Sequence, residues 1–289
     1  MTVTSISILY HANCPDGFSA AWVAQCHLAN ARLHPMNYGE PVPDIDGHVV
    51  WVLDYCFPPD QLVELCERAE AVRILDHHET AVGYLEQTEA DIQVFGSMWE
   101  MPEVTPLHWA IINQQRSGVG LTMEWFDEEF DWLLRIEDRD LWRWSLPDTA
   151  DVFAAVTSRE YTLGAWDELD HLGLDALRAE GAGINRYRDQ IIDQCLKGRL
   201  VLDIPGVGLV AAAQCPYAVG SDVAGHFAEQ STAGIGAYFM VKEGGVRLGL
   251  RSRNGGPNVA TLAKDLFGGG GHPQASGFEV SYKEFFSWL

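Results

Sequence analysis

Residues 74–78 read Ile74-Leu75-Asp76-His77-His78, and residues 268–278 read Gly268-Gly269-Gly270-Gly271-His272-Pro273-Gln274-Ala275-Ser276-Gly277-Phe278. The first run places three metal- or proton-handling side chains in succession where a short apolar strand ends. The second is a glycine loop with a lone histidine, where backbone amides can close on a phosphate. A metal centre in one half and a phosphate cradle in the other predict a hydrolase that cleaves a phosphoester between two domains.

Moving outward from Asp76, residues 71–75 form a short apolar strand. Residues 49–53 form another, ending at Asp54, and residues 3–10 a third, ending at His11. Helical patterns lie between them, at 17–28 and from the Pro58-Pro59 pair to about Arg68, since proline is tolerated in a first turn. Fully apolar strands alternating with amphipathic helices predict a parallel sheet covered on both faces. Ligands gather beyond the carboxyl ends of such strands, where His11, Asp54 and Asp76 all fall.

Further helices are expected at 106–115 and 123–134, the second running into Glu137-Asp138-Arg139-Asp140-Leu141-Trp142. Residues 160–198 read as polar and helical, with Ile184, Tyr187, Ile191 and Cys195 at three- and four-residue steps and Gly181 and Gly183 as a candidate hinge. From Leu200 the texture turns to strand and glycine, at 200–204, 208–213, 237–241 and 246–251. A helix at 259–267 leads into the glycine loop. The expected organisation is α/β: an N-terminal parallel-sheet domain over 1–160, a helical connector over 161–198, and a smaller α/β domain over 199–289.

The chain has 289 residues, enough for two domains. No apolar run approaches the about 20 residues of a membrane span, and the start lacks the basic segment of a signal peptide. Six cysteines without CxxC spacing fit reduced thiols, so a cytoplasmic location is expected. The formal net charge is −22, and residues 1–150 hold 25 Asp+Glu against 7 Lys+Arg. So acidic a surface repels a long duplex, yet a short anion can still enter a site built from metal ions and a few arginines.

Hydrolysis of a phosphodiester at neutral pH needs a strong nucleophile and neutralisation of the leaving oxygen, which two divalent ions supply. Oxygen ligands with a few imidazoles suit manganese, with magnesium as the alternative. The candidate ligands are His11, Asp16, Asp54, Asp76, His77 and Asp138, with His78 beside them. Blander readings stand against each. A lone strand-end histidine is more often structural, Asp54 could cap a helix, and Asp140 competes with Asp138 or pairs with Arg139 or Arg143 on the surface. Four glycines are more often a flexible turn, but His272 after them and Arg247, Arg251 and Arg253 before them make an anion site. Trp51, Trp142 and Trp144 could stack bases, although a buried role is the commoner one for an aromatic ring.

At this point the chain resembles the DHH phosphoesterase superfamily in its two-domain form with a C-terminal DHHA1 domain. His11-Ala12-Asn13-Cys14-Pro15-Asp16-Gly17-Phe18-Ser19-Ala20-Ala21 resembles its first motif, Asp54 its second, Asp76-His77-His78 its third and Asp138 its fourth. Arg251-Ser252, Gly269-Gly270-Gly271-His272 and Ala275-Ser276-Gly277 resemble the DHHA1 signature. The resemblance spans nearly the whole chain, and by order and wording is nearest the oligoribonuclease (nanoRNase) branch. It implies that Asp54 bridges two ions, most often manganese, with His11 on one ion and Asp16, His77 and Asp138 on the other. His78 would sit near the nucleophilic water or the scissile phosphate, with Asp54, Asp76, His77 and His78 as the catalytic group. Arg251, Ser252, Gly269, Gly270, Gly271 and His272 would grip the substrate phosphate. One departure is Cys14, which stands where members often carry a second aspartate and is a further candidate ligand.

The expected function is therefore a manganese-dependent phosphodiesterase or exonuclease acting on short single-stranded oligonucleotides or small nucleotides. A 3′-to-5′ polarity rests on the resemblance alone, and a homodimer stays open. A soluble cyclic-dinucleotide or pAp phosphatase is the alternative within hydrolases. A nucleic-acid-binding module with a degenerate DHH half is the alternative from another class.

Overall fold

A computed structural model describes residues 5–289; Val3 and Thr4 of the expected first strand lie outside the described residues. The chain divides into two compact units, Met1–Ile184 and Asn185–Leu289. In the first the order is β1 (Ile6–His11), α1 (Pro15–His27), β2 (Arg32–Met36), β3 (Val49–Leu53), α2 (Pro59–Arg68), β4 (Ala71–Asp76), α3 (Glu79–Gln87), β5 (Gln93–Phe95), β6 (His108–Ile112), α4 (Gly118–Phe126), α5 (Asp131–Asp140) and α6 (Thr149–Thr157). The long helix α7 (Leu163–Lys197) follows, and the division between the units falls within it.

Among the described residues, six strands of the first unit form one sheet in the order β2-β1-β3-β4-β6-β5, and every neighbouring pair is parallel. The apolar runs are continuous because both faces are covered. Ile8, Tyr10, Trp51, Leu53, Leu75 and Ile111 pack into one core with α1, α4, α5 and α6. Leu9, Val50, Val52, Val72, Ile74 and Ala110 pack into another, with Leu62 and Leu65 of α2 and Ala81 of α3. The period-two alternation of a strand sends neighbours to opposite cores.

Several elements differ from the sequence expectations. The helix expected at 106–115 is strand β6, whose Trp109, Ala110 and Ile111 are buried between β4 and β5. A five-residue apolar run has too little length for periodicity to separate strand from helix. The single helix expected at 123–134 is two, because Asp127 takes a left-handed φ of 56° and ends α4. Strand β2 was not foreseen; it lies at the sheet edge, where its Pro35 is tolerated. In α7 the break falls at Gly173, with φ 74°. Gly181 is a site of close approach, since a Cβ there would lie 1.6 Å from the Asp151 carbonyl oxygen.

The second unit runs β7 (Leu200–Ile204), β8 (Gly208–Gln214), α8 (Tyr217–Gln230), β9 (Ile235–Lys242), β10 (Gly245–Ser252), α9 (Val259–Phe267), β11 (Gly270–His272), β12 (Ala275–Val280) and α10 (Tyr282–Phe286). Its sheet has the order β11-β12-β10-β9-β8-β7, antiparallel except for the β8–β9 pair. Val259 and Ala263 of α9 and Phe285 of α10 join one core, while Val219, Val223 and Phe227 of α8 join the other. No helix among the described residues is long and apolar enough to cross a membrane.

Candidate metal centre and anion pocket

Strand register builds the first site. Tyr10 pairs with Leu53, and Leu53 with Leu75, so β1, β3 and β4 end level. The next residues, His11, Asp54 and Asp76, therefore emerge side by side at one rim. Asp54 is held in the left-handed region, with φ 55°, a strain of the kind that marks functional positions. Two glycines make room for it. A Cβ on Gly17 would lie 3.0 Å from Asp54 Oδ2, and one on Gly118 would lie 2.4 Å from Asp54 Cβ.

The side chains converge. His77 Nε2 lies 3.1 Å from Asp54 Oδ1 and 3.4 Å from Asp140 Oδ2, and His11 Nδ1 lies 3.4 Å from Asp54 Oδ2. His78 Nδ1 lies 2.7 Å from Asp76 Oδ1, fixing that ring. Three overlapping sets each bring one possible ligand atom per residue within 4.8 Å of the others: Asp54 with Asp76, His77 and His78; His11 with Cys14 and Asp54; and Asp16 with His77 and Asp140. Asp16, Asp54 and Asp76 are fully or almost fully buried.

Electrostatics follow from so many carboxylates in one place. Burial opposes charge on His78, but its hydrogen bond to Asp76 and the charges of Asp76, Asp54 and Asp140 outweigh that and carry its pKa to about 9. His77 is raised likewise, burial opposing and the Asp54 bond and charge prevailing. Burial also opposes ionisation of Asp54, yet bonds to His11 and His77 hold its carboxyl well below the usual range. Burial, then the charges of Asp54 and Asp140, push Asp16 well up. The Cys14 thiol is pushed up by burial and by Asp54 and Asp16.

These residues fit a divalent metal. Asp76 Oδ2 is buried without a hydrogen-bond partner, and the buried Asp54 Oδ2 and His11 Nδ1 have only their long 3.4 Å contact with each other, an arrangement costly for bare polar atoms and natural for ligands. An oxygen-rich set with a few imidazoles suits manganese or magnesium.

The fourth carboxylate differs from the sequence assignment. Asp138 does not join the cluster. Its carboxylate accepts from Ser145 N at 2.9 Å, Leu146 N at 3.3 Å and the hydroxyls of Ser145 and Thr149. Asp140, the competitor, faces His77 instead. The loop after β6 was missed as well. Ser117 Oγ donates to Asp16 Oδ1 at 2.6 Å, Gly118 N to Oδ2 at 2.6 Å and Val119 N to Oδ1 at 3.2 Å. Asp16 therefore also caps α4, accepting from the first free amides of that helix.

In the second unit, Arg247, Arg251, Gly270 and Gly271 line a cavity of about 180 Å3 together with Tyr217, Ser221 and Tyr238. Arg247 and Arg251 stand four residues apart on β10, hence on one face. Arg251 Nη2 donates to Ser221 Oγ at 2.7 Å, and the Arg247 guanidinium carbon lies 5.7 Å from the Tyr217 ring centre. The other expected phosphate-binding residues lie differently. Ser252 is turned inward and donates to the Arg253 carbonyl at 3.3 Å. Gly269 allows close packing, since a Cβ would lie 2.3 Å from the Gly277 carbonyl oxygen. His272 is exposed on β11. Tyr217, Ser221 and Tyr238 carry no motif that would have revealed them.

No family model matches the chain. The uncharacterized protein R106 of Acanthamoeba polyphaga mimivirus is 25% identical over 308 residues, covering 95% of this chain and 67% of that protein. Among solved structures, the pGpG-specific phosphodiesterase PggH of Vibrio cholerae matches with a TM-score of 0.54 at 13% identity, over 97% of this chain and 95% of that one. The chain has the DHH-type fold. RecJ from Thermus thermophilus, solved in complex with Mn2+, matches at 15% identity and a TM-score of 0.47, over 98% of this chain and 50% of that one. The DHH-type core of the present chain is the parallel sheet whose strand ends carry His11, Asp54 and Asp76.

Proposed function

We propose that the chain is a manganese-dependent phosphodiesterase acting on short oligonucleotides, linear dinucleotides included. The observation that carries this reading is the convergence of His11, Asp16, Asp54, Asp76, His77, His78 and Asp140, with the buried Asp76 Oδ2 left without a hydrogen-bond partner. Divalent ions bound there supply activation of water and neutralisation of the leaving oxygen. Asp54, common to two of the three sets and bonded to His77 of the third, would be shared between two ions; His11 and Cys14 would complete one, and Asp16, His77 and Asp140 the other. His78, its Nδ1 tied to Asp76, keeps Nε2 as the nitrogen that can hold or give a proton.

Arg247 and Arg251 serve as phosphate grips in the second unit, where guanidinium groups match phosphate geometry. The fold likeness to a phosphodiesterase specific for the linear dinucleotide pGpG supports a small nucleotide as substrate. The test is purified protein with manganese, given labelled RNAs of two to five nucleotides, a cyclic dinucleotide and polyphosphate. Release of mononucleotides from the short RNAs, abolished by EDTA and restored by manganese, is expected. Cleavage of polyphosphate alone, or binding of RNA without cleavage, would replace this reading with a phosphatase or with a nucleic-acid-binding module.

A further inference from the structure

Two tryptophans directly after Asp140 have no role in the core. Trp142 is 65% exposed and Trp144 42% exposed. Both take left-handed backbone conformations, with φ of 54° and 52°, which bulky residues adopt only where surrounding structure compels it. The surroundings do compel it. Asp138 collects the backbone and hydroxyl donors of Ser145, Leu146 N and the Thr149 hydroxyl, closing the turn from behind. Arg143 N donates to the Asp138 carbonyl at 2.9 Å.

The rings are fixed as well. Their centres lie 5.2 Å apart with planes at 79°. The Arg139 guanidinium carbon lies 4.1 Å from the Trp142 ring centre and 5.1 Å from that of Trp144, a contact that orients an indole while leaving most of it in solvent. Exposed, immobilised aromatic rings beside a positive charge have the chemistry of a base-stacking platform. The chain carries them two and four residues after Asp140, a carboxylate of the metal-type cluster.

We infer that Trp142 and Trp144, oriented by Arg139, form a stacking platform for a nucleobase of the substrate next to the Asp140 side of the cluster. This rests on the nucleotide-hydrolase reading and deepens it. A platform of this kind prefers nucleotides over other phosphoesters without reading a particular base, because every base has a π-face. Asp138 is then a positioning residue for the platform.

The test is calorimetric binding to manganese-loaded protein of an ApA dinucleotide in which both bridging oxygens are methylene, and of the same backbone without bases. The analogue keeps its charge and cannot be hydrolysed, so the measurement is independent of turnover. The unaltered protein should prefer the base-bearing analogue by at least about tenfold, and Trp142→Leu should remove most of that preference. Trp142→Phe, which keeps a ring, should retain it, and Trp144→Leu should show a smaller loss. No preference in the unaltered protein would overturn the inference. So would a Trp142→Leu variant that retains it. Absence of phosphodiester cleavage with the preference intact would instead strike the hydrolase reading and leave the platform standing.

Discussion

Asp138 and Asp140 show how two residues of one type, two positions apart, come to opposite uses. A helix turns about 100° per residue, so carboxylates two apart on α5 point about 200° apart and only one can face His77. Sequence offers no phase reference for that choice, and the motif match falls on the one that is turned away. Asp140→Asn should weaken manganese binding, followed by calorimetry, and lower turnover by about 100-fold or more, as loss of a group at the reacting centre does. Asp138→Asn should retain manganese affinity within a few-fold and lower stability by about 1–3 kcal/mol, because its donors lose a charged acceptor. A thermal melt distinguishes them, and the reverse pattern would restore Asp138 as ligand. Protons compete for the same groups. With the metal stripped, the raised pKa of His78, about 9 against an ordinary 6.5, favours the folded state. That contribution is fully present below about pH 6.5 and is lost as pH rises through about 9. His77, also raised, acts in the same direction. The groups facing them are Asp54, Asp76 and Asp140. Melting temperatures of the stripped protein should therefore fall from pH 6.5 to 9.5, and His78→Gln should flatten that decline.

At the scale of elements, the readable part was the part fixed by burial. The strands ending at His11, Asp54 and Asp76 are apolar because both faces are covered, and parallel register then aligns their ends without any contribution from the loops. The less readable part was fixed by tertiary contact. Strand β6 is a five-residue run that becomes a strand only because β4 and β5 flank it. The start of α4 is set by Asp16, about a hundred residues earlier, which takes the Ser117, Gly118 and Val119 donors. No local pattern carries that information. The glycine there has a measurable consequence. Gly118→Ala would place a Cβ 2.4 Å from Asp54 Cβ and 2.8 Å from Asp16 Oδ2, and both neighbours are buried, Asp16 on α1 and Asp54 at the end of β3. A loss of about 1–3 kcal/mol from overpacking is expected, with manganese affinity falling as Asp54 is displaced. Unchanged melting and metal affinity would mean that the rim relaxes at no cost.

Over the whole molecule, charge divides unevenly. Residues 1–184 contain 32 Asp+Glu against 9 Lys+Arg, and residues 185–289 contain 9 against 10. Only a minority of those acids belong to the metal-type cluster, so the surplus forms a broadly negative surface on the unit that carries the candidate chemistry. On the proposed reading, a mono- or dinucleotide would need only the ions and the platform of this unit. Each further phosphate of a longer chain meets like charge on that surface and releases few counterions, because few cationic partners exist for it. Cleavage should therefore slow as the RNA lengthens from two to five to twenty-four nucleotides. Raised ionic strength should narrow the difference, since screening acts over about 10 Å at 0.1 M salt and relieves the repulsion that grows with each added phosphate. Timed digests of the three lengths at 20 mM and 200 mM salt measure both effects. Faster cleavage of the longest RNA at low salt would require a cationic track along the chain, and the oligonucleotide reading would give way to that of a processive exonuclease.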